Sequence, residues 1–166
     1  MNRSRVIALA AFGVVLAAVV IVVLVAQGGG DEGGGAGTAT ASDNVGEKPE
    51  ITVPDEPATE LVTEDVVEGD GAEAKEGDEV EVEYAGVAQS TGTEFDSSFE
   101  RDEPFTFGLG AGEVIPGWDE GIVGMKEGGR RLLVIPGEQA YGPTGQPPDI
   151  GPNETLVFAV DLIKVN

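Results

Sequence analysis

VEVEYAGV (80–87) opens with a strict alternation, placing Val80, Val82 and Tyr84 on one face and Glu81 and Glu83 on the other. A period of two is the signature of a half-buried β-strand, and valine and tyrosine suit its pleated surface. Working outward, TEFDSSF (93–99) follows after a Ser-Thr-Gly turn, and PFTFGLG (104–110) alternates Phe105, Phe107 and Leu109. RRLLVIP (130–136) reads as a further strand ended by Pro136, and LVTEDVV (61–67) as another edge. In TLVFAVDLIKV (155–165), Leu156, Phe158, Val160 and Leu162 share a face. One short helix fits, PGWDEGIVGM (116–125), with Pro116 at its first position, acids in its first turn and Gly124 near its end. Its Trp118, Ile122 and Met125 would face the sheet. The expected fold is α+β, an antiparallel, strongly curved sheet of five to six strands wrapped round one short helix, over residues 61–166.

N-terminal to that domain the composition changes twice. VIALAAFGVVLAAVVIVVLVA (6–26) holds 21 apolar or small residues without a charge, which as a helix would span about 32 Å, the thickness of a hydrocarbon core. Arg3 and Arg5 lie before it and Asp31 and Glu32 after it, so a cytoplasmic N-terminus and an external C-terminal part are expected. Residues 1–27 are therefore read as a signal anchor or transmembrane helix, with the C-terminal domain on the extracytoplasmic side of the plasma membrane. Secretion after signal cleavage is the alternative, although the site ending at Ala26 has Leu24 where a small residue is wanted. Residues 28–60, rich in Gly, Ala, Thr, Pro and acid, read as a disordered acidic linker.

Charge and composition narrow the chemistry. Nine basic residues stand against 31 acidic ones, a net charge of −22, which repels phosphate backbones and argues against nucleic-acid binding. With no cysteine and no histidine, disulfides, thiol or imidazole catalysis and the usual zinc ligands are excluded. No segment has calcium-loop spacing, and no metal or cofactor is implied. What remains is carboxylates, hydroxyls, backbone groups and shape. Aromatic residues are few in the chain, but all except Phe12 lie in this domain, among them Tyr84, Phe95, Phe105, Phe107, Trp118, Tyr141 and Phe158. The Pro/Gly-rich loop AYGPTGQPPDIGP (140–152) adds Ile150. Core packing accounts for each of these singly. Together with so long a loop they suggest an apolar pocket under a flap.

The order Y-x-G (84–86), F-D-S-S (95–98), P-F-x-F-x-L-G (104–110), E-V-I-x-G-W-x-E-G (113–121), A-Y-G-x-x-G-x-P (140–147) and T-L-V-F (155–158) resembles the FKBP-type peptidyl-prolyl cis–trans isomerases. The resemblance covers residues 61–166. It implies that Tyr84, Phe95, Asp96, Arg101, Phe105, Glu113, Val114, Ile115, Trp118, Tyr141, Ile150 and Phe158 line a proline pocket with Trp118 as its floor. It also implies that Tyr84, Asp96 and Tyr141 serve the reaction, and that the Ile115 N–H and the Tyr141 hydroxyl hold carbonyl oxygens. The partners implied are proline-containing folding polypeptides and macrolides of the rapamycin type, met by a monomer. Rotation about X–Pro needs neither nucleophile nor metal, since its barrier is amide resonance, so the missing histidine is no obstacle. Two positions depart from the pattern: Gln146 stands where many relatives carry His, and Asp149 where an apolar residue is usual at the pocket rim. The alternatives are an FKBP-like binding or chaperone module without significant isomerase activity, and an envelope protein acting through its acidic surface.

Overall fold

The alternating segments pair into one antiparallel sheet. In the computed structural model, which describes residues 38–166, the elements are β1 (Thr40–Ala41), β2 (Ile51–Thr52), β3 (Val62–Val67), β4 (Glu79–Ala88), β5 (Glu94–Ser97), β6 (Phe105–Gly108), α1 (Pro116–Gly121), β7 (Arg130–Ile135) and β8 (Leu156–Val165). The expected anchor over 1–27, and the linker as far as residue 37, lie outside the described residues. Among the described residues no helix is long and apolar enough to cross a membrane.

Strands β3, β7, β8 and β4 lie side by side in that order, and the far edge of β4 is shared. Its first half pairs with β6 (Val80 opposite Phe107, Val82 opposite Phe105) and its second half with β5 (Ala85 opposite Ser97, Gly86 opposite Asp96). This division of one long strand gathers Tyr84, Phe95, Asp96 and Phe105 around the middle of β4.

One face of the sheet packs on α1. Val80, Val82, Tyr84, Phe107, Leu133, Ile135, Phe158, Val160 and Leu162 meet Trp118, Ile122 and Met125 in a single buried cluster. The helix is shorter than the expected 116–125. It ends at Gly121, because Gly124 takes a left-handed φ of 86° and donates its N–H to the Ala74 carbonyl, turning the chain away. Ile122 and Met125 are nevertheless buried. Gly117 is needed for the contact, since a Cβ there would lie 2.5 Å from Ile135 Cγ2.

The opposite face corrects the expectation of a disordered linker over 28–60. Residues 38–60 form a strap carrying the β1–β2 pair, with Ala41 opposite Ile51. Ala39, Ala41, Ile51, Val53 and Ala58 cover Leu132, Val134 and Val157, residues that alternate with those facing the helix. Beneath the strap, Arg130 and Asp161 sit directly opposite each other on β7 and β8 and are almost fully buried. Arg130 Nε donates to Asp161 Oδ1 at 2.5 Å and Nη2 to Oδ2 at 2.7 Å. The strap completes the pair: the Ser42 and Glu47 carbonyls accept from Arg130, and Gly46 N–H donates to Asp161. A buried ion pair is tolerable only when its remaining donors and acceptors are satisfied, and here the strap's backbone satisfies them.

Candidate functional site

Tyr84 points from β4 toward the helix side, and its neighbour β5 is held in register by Ser98. Tyr84 N–H donates to Ser98 Oγ at 2.8 Å, and Ser98 N–H to the Tyr84 carbonyl at 2.9 Å. That fixes Asp96 beside the phenol. The Tyr84 hydroxyl donates to Asp96 Oδ2 at 2.5 Å, Arg101 Nη1 donates to Asp96 Oδ1 at 2.6 Å, and Arg101 Nη2 donates to the Tyr84 oxygen at 2.9 Å. The three side chains close a triangle in which each satisfies the other two. Partial burial raises the Asp96 pKa, but the hydrogen bonds from Tyr84 and Arg101 outweigh it and hold the carboxyl below its usual range. Burial first, and the Asp96 hydrogen bond second, push the Tyr84 phenol up to about 12. At neutral pH the triangle therefore contains a carboxylate, a neutral phenol and a guanidinium.

Aromatic rings continue this wall. Trp118 meets Tyr84 edge to face with centroids 4.9 Å apart and Phe158 likewise at 5.2 Å, while Phe95 meets Phe158 at 5.5 Å and 90°. Such edge-to-face pairs are favourable and rigid. Gly86 makes the last of them possible, because a Cβ there would lie 2.5 Å from Phe158 Cε1 and 2.8 Å from Phe95 Cζ. The loop before α1 supplies the opposite side. Asp119 accepts from the N–H groups of Gly110 and Gly112 at 2.8 and 3.2 Å, and Glu113 accepts from Gly108 N–H at 2.6 Å. These contacts hold Val114 and Ile115 over the cavity.

The result is a cavity of about 480 Å³ lined by Tyr84, Phe95, Asp96, Phe105, Glu113, Val114, Ile115, Trp118, Tyr141 and Phe158. Ten of the residues singled out in the sequence thus meet at one place. Two do not line it. Arg101 lies behind Asp96 and borders a neighbouring surface cavity with Glu103, Pro104, Phe105 and Thr106, so it acts through the triangle. Ile150 is buried in the core cluster and borders a side cavity of about 310 Å³, which shares Phe95, Asp96 and Tyr141 with the main one. The reason is the loop's course: Gln146 and Ile150 exchange backbone hydrogen bonds at 2.8 and 3.0 Å, which turns Ile150 inward. Ser98, Gly86 and Asp119 position the site but were not among the candidates. The second serine of F-D-S-S and the glycine of Y-x-G were visible signals for two of them.

Among the described residues the Ile115 N–H and the Tyr141 hydroxyl have no partner, and neither has the buried indole N–H of Trp118. Burial and the Asp96 charge both raise the Tyr141 pKa, so it too stays protonated. Among the described residues no cluster of acidic side chains is placed to hold a metal ion.

The sequence profile of the FKBP-type peptidyl-prolyl cis-trans isomerases matches residues 71–163. The chain belongs to this family. An FK506-binding protein of Streptomyces anulatus is 53% identical over 121 residues, 72% of this chain and 98% of that protein. An FK506-binding protein of Neisseria meningitidis serogroup A is 52% identical over 105 residues, 63% of this chain and 95% of the relative. The crystal structure of AtFKBP13 superposes with a TM-score of 0.60 at 39% identity, covering 64% of this chain and 93% of that one. FkpA from Escherichia coli gives 0.59 at 46% identity, covering 67% of this chain and 51% of FkpA. With such relatives the protein is an FKBP-type peptidyl-prolyl cis–trans isomerase. The profile begins at residue 71, so the strap lies outside it, whereas the 121-residue likeness to the Streptomyces protein is too long for residues 61–166 alone.

Proposed function

We propose that this FKBP-type isomerase acts on exported or envelope polypeptides from the extracytoplasmic side of the plasma membrane, with the aromatic cavity as its proline pocket. The observation that carries the site assignment is the pairing of a self-satisfied wall with two free donors. Tyr84, Asp96 and Arg101 spend their polar groups on one another, whereas Ile115 N–H and Tyr141 O–H have no partner.

The chemistry follows from the amide. Rotation about an X–Pro bond is opposed by resonance, with an activation energy of about 20 kcal/mol. As the bond twists, charge separation falls and the nitrogen becomes pyramidal, so the transition state is less polar than the planar amide. Walls of Trp118, Phe158, Phe95 and Phe105 receive that state better than water does. Ile115 and Tyr141 hold the flanking carbonyls and fix the direction of twist. Because the Tyr84–Asp96–Arg101 triangle is internally satisfied, it does not reorganise as the substrate's charge changes. Each tenfold of rate requires about 1.4 kcal/mol of preference for the twisted state. The same apolar pocket and free donors suit a macrolide of the FK506 or rapamycin type, as the names of the relatives suggest.

Support for the location is the run 6–26 with Arg3 and Arg5 before it and Asp31 and Glu32 after it. Two measurements on the full chain test the proposal. Protease added to intact spheroplasts should remove residues 38–166 from a membrane-bound protein, and full protection would overturn the location. A protease-free isomerisation assay on X–Pro tetrapeptides, beside refolding of a proline-limited protein, should show acceleration in both. Binding of unfolded chains without acceleration would place the protein among the chaperone modules instead.

A further inference from the structure

The side cavity next to the proline pocket has a chemistry of its own. It shares Phe95, Asp96 and Tyr141 with the main cavity and adds Gln146, Pro147, Asp149 and Ile150. Its walls combine Phe95, Tyr141, Pro147 and Ile150 with the Gln146 amide and two carboxylates, and the carboxylates differ. Asp96 is saturated by Tyr84 and Arg101. Asp149 is exposed and has no hydrogen-bond or ion-pair partner among the described residues. Its position is nevertheless defined, because the two backbone bonds between Gln146 and Ile150 close the loop that carries it and Pro147 and Pro148 remove most of that loop's freedom.

A side chain entering this cavity meets the rings of Phe95, Tyr141 and Pro147 beside polar groups, among them the unpartnered Asp149 carboxylate. Lysine and arginine offer both kinds of contact, an apolar stem and a cationic head. A leucine would leave the carboxylate without a partner, and an acidic residue would be repelled. Resting on the isomerase reading above, we propose that the cavity is a subsite for a lysine or arginine flanking the proline of the client, with Asp149 as the carboxylate that selects it. The net charge of −22 draws cationic segments toward the whole surface, but Asp149 is the group that converts attraction into choice at one position.

The test compares peptides with lysine, norleucine or glutamate at the position before or after proline, on the full chain and on Asp149→Asn, Asp149→Lys and Glu64→Gln. Glu64 lies on β3, at the far edge of the sheet, and its neutralisation changes net charge as Asp149→Asn does. The readout is the ratio of kcat/KM for lysine over norleucine within each protein, with peptide affinity by fluorescence anisotropy measured in parallel. At one flanking position the ratio should be about three- to fivefold in the wild type at low salt, the scale of an exposed ion pair. It should fall to about one in Asp149→Asn, invert in Asp149→Lys and persist in Glu64→Gln. A ratio that survives Asp149→Asn, or that falls equally in Glu64→Gln, overturns the subsite while leaving the isomerase reading intact. Absence of turnover on every peptide would instead sink the isomerase reading, and the affinity ratios would then judge the subsite alone.

Discussion

The two faces of the sheet satisfy their polar groups in opposite ways. On the helix side, Tyr84, Asp96 and Arg101 form a half-exposed triangle beside an open cavity, leaving the donors of Ile115 and Tyr141 free. On the strap side, Arg130 and Asp161 are almost fully enclosed, and backbone of residues 42–47 accepts from both terminal nitrogens of Arg130 and donates to Asp161. The first arrangement keeps hydrogen-bonding capacity for a ligand. The second has none to offer and can only stabilise. The difference teaches where substitutions should be felt: one face in turnover, the other in folding.

The largest effect expected is on folding. Deleting the strap to leave residues 61–166, the unit that composition alone marks out, bares Leu132, Val134 and Val157 and strips Arg130 of two acceptors. Urea unfolding should show a loss of at least about 3–5 kcal/mol, the scale of a broken buried ion pair. Equal midpoints for the long and short chains would break the contrast between the faces. Arg130→Met alone should cost a similar amount, and Arg130→Met with Asp161→Leu should recover most of it, since a well-packed apolar pair is often as stable as a buried ionic one.

Next comes the pocket face. Tyr141→Phe removes one hydroxyl from an exposed ring and should lower kcat/KM by up to about tenfold, the net worth of one neutral hydrogen bond, with an unchanged urea midpoint. Trp118→Ala is a poorer probe, because Trp118 is 4% exposed and packs on Tyr84, Phe107 and Phe158. It should cost about 3–5 kcal/mol of stability along with activity. A Trp118→Ala variant that loses turnover but keeps its midpoint would show the indole to be pocket floor only.

The smallest effect is on pH dependence. The Asp96 carboxyl is held below its usual value and the Tyr84 phenol is raised to about 12, so neither changes charge between about pH 6 and 9. Turnover should be flat there. A depressed carboxyl stabilises the fold above its unfolded pKa and loses that contribution as pH falls through the folded value, so activity and stability should decline together in acid. Tyr84→Phe removes one of the donors that hold Asp96 down, beside Arg101 and the Ser97 backbone, and should move the acid limb to higher pH. An acid limb that stays where it was would mean that Arg101 and the Ser97 backbone set the carboxylate without Tyr84.

How far each face could be read from the sequence follows the same division. Alternation marks out the strands that carry Tyr84, Phe95, Asp96, Phe105 and Phe158, whereas Glu113, Val114, Ile115, Trp118 and Tyr141 lie on loops or on α1, and the resemblance, rather than spacing, names all ten as lining a pocket. Arg101 and Ile150 do not line the main cavity because loop geometry decides them: Arg101 reaches Asp96 and Tyr84 and acts through them, and the Gln146–Ile150 bridge turns Ile150 inward. The strap was illegible because its apolar residues, Ala39, Ala41, Ile51, Val53 and Ala58, are too sparse for any period. A signal for it existed elsewhere. LLVI (132–135) and LVFAV (156–160) are unbroken apolar runs, which belong to strands covered on both faces, and only the preceding chain was left to supply the second cover.

The most direct test of this division is an exchange NMR experiment on a proline tetrapeptide with substoichiometric, isotope-labelled protein. Cis–trans exchange of the peptide should accelerate, with amide shift changes concentrated at Asp96, Val114, Ile115 and Tyr141 and absent from residues 39–58. Exchange at the uncatalysed rate, or shift changes centred on the strap, would contradict it.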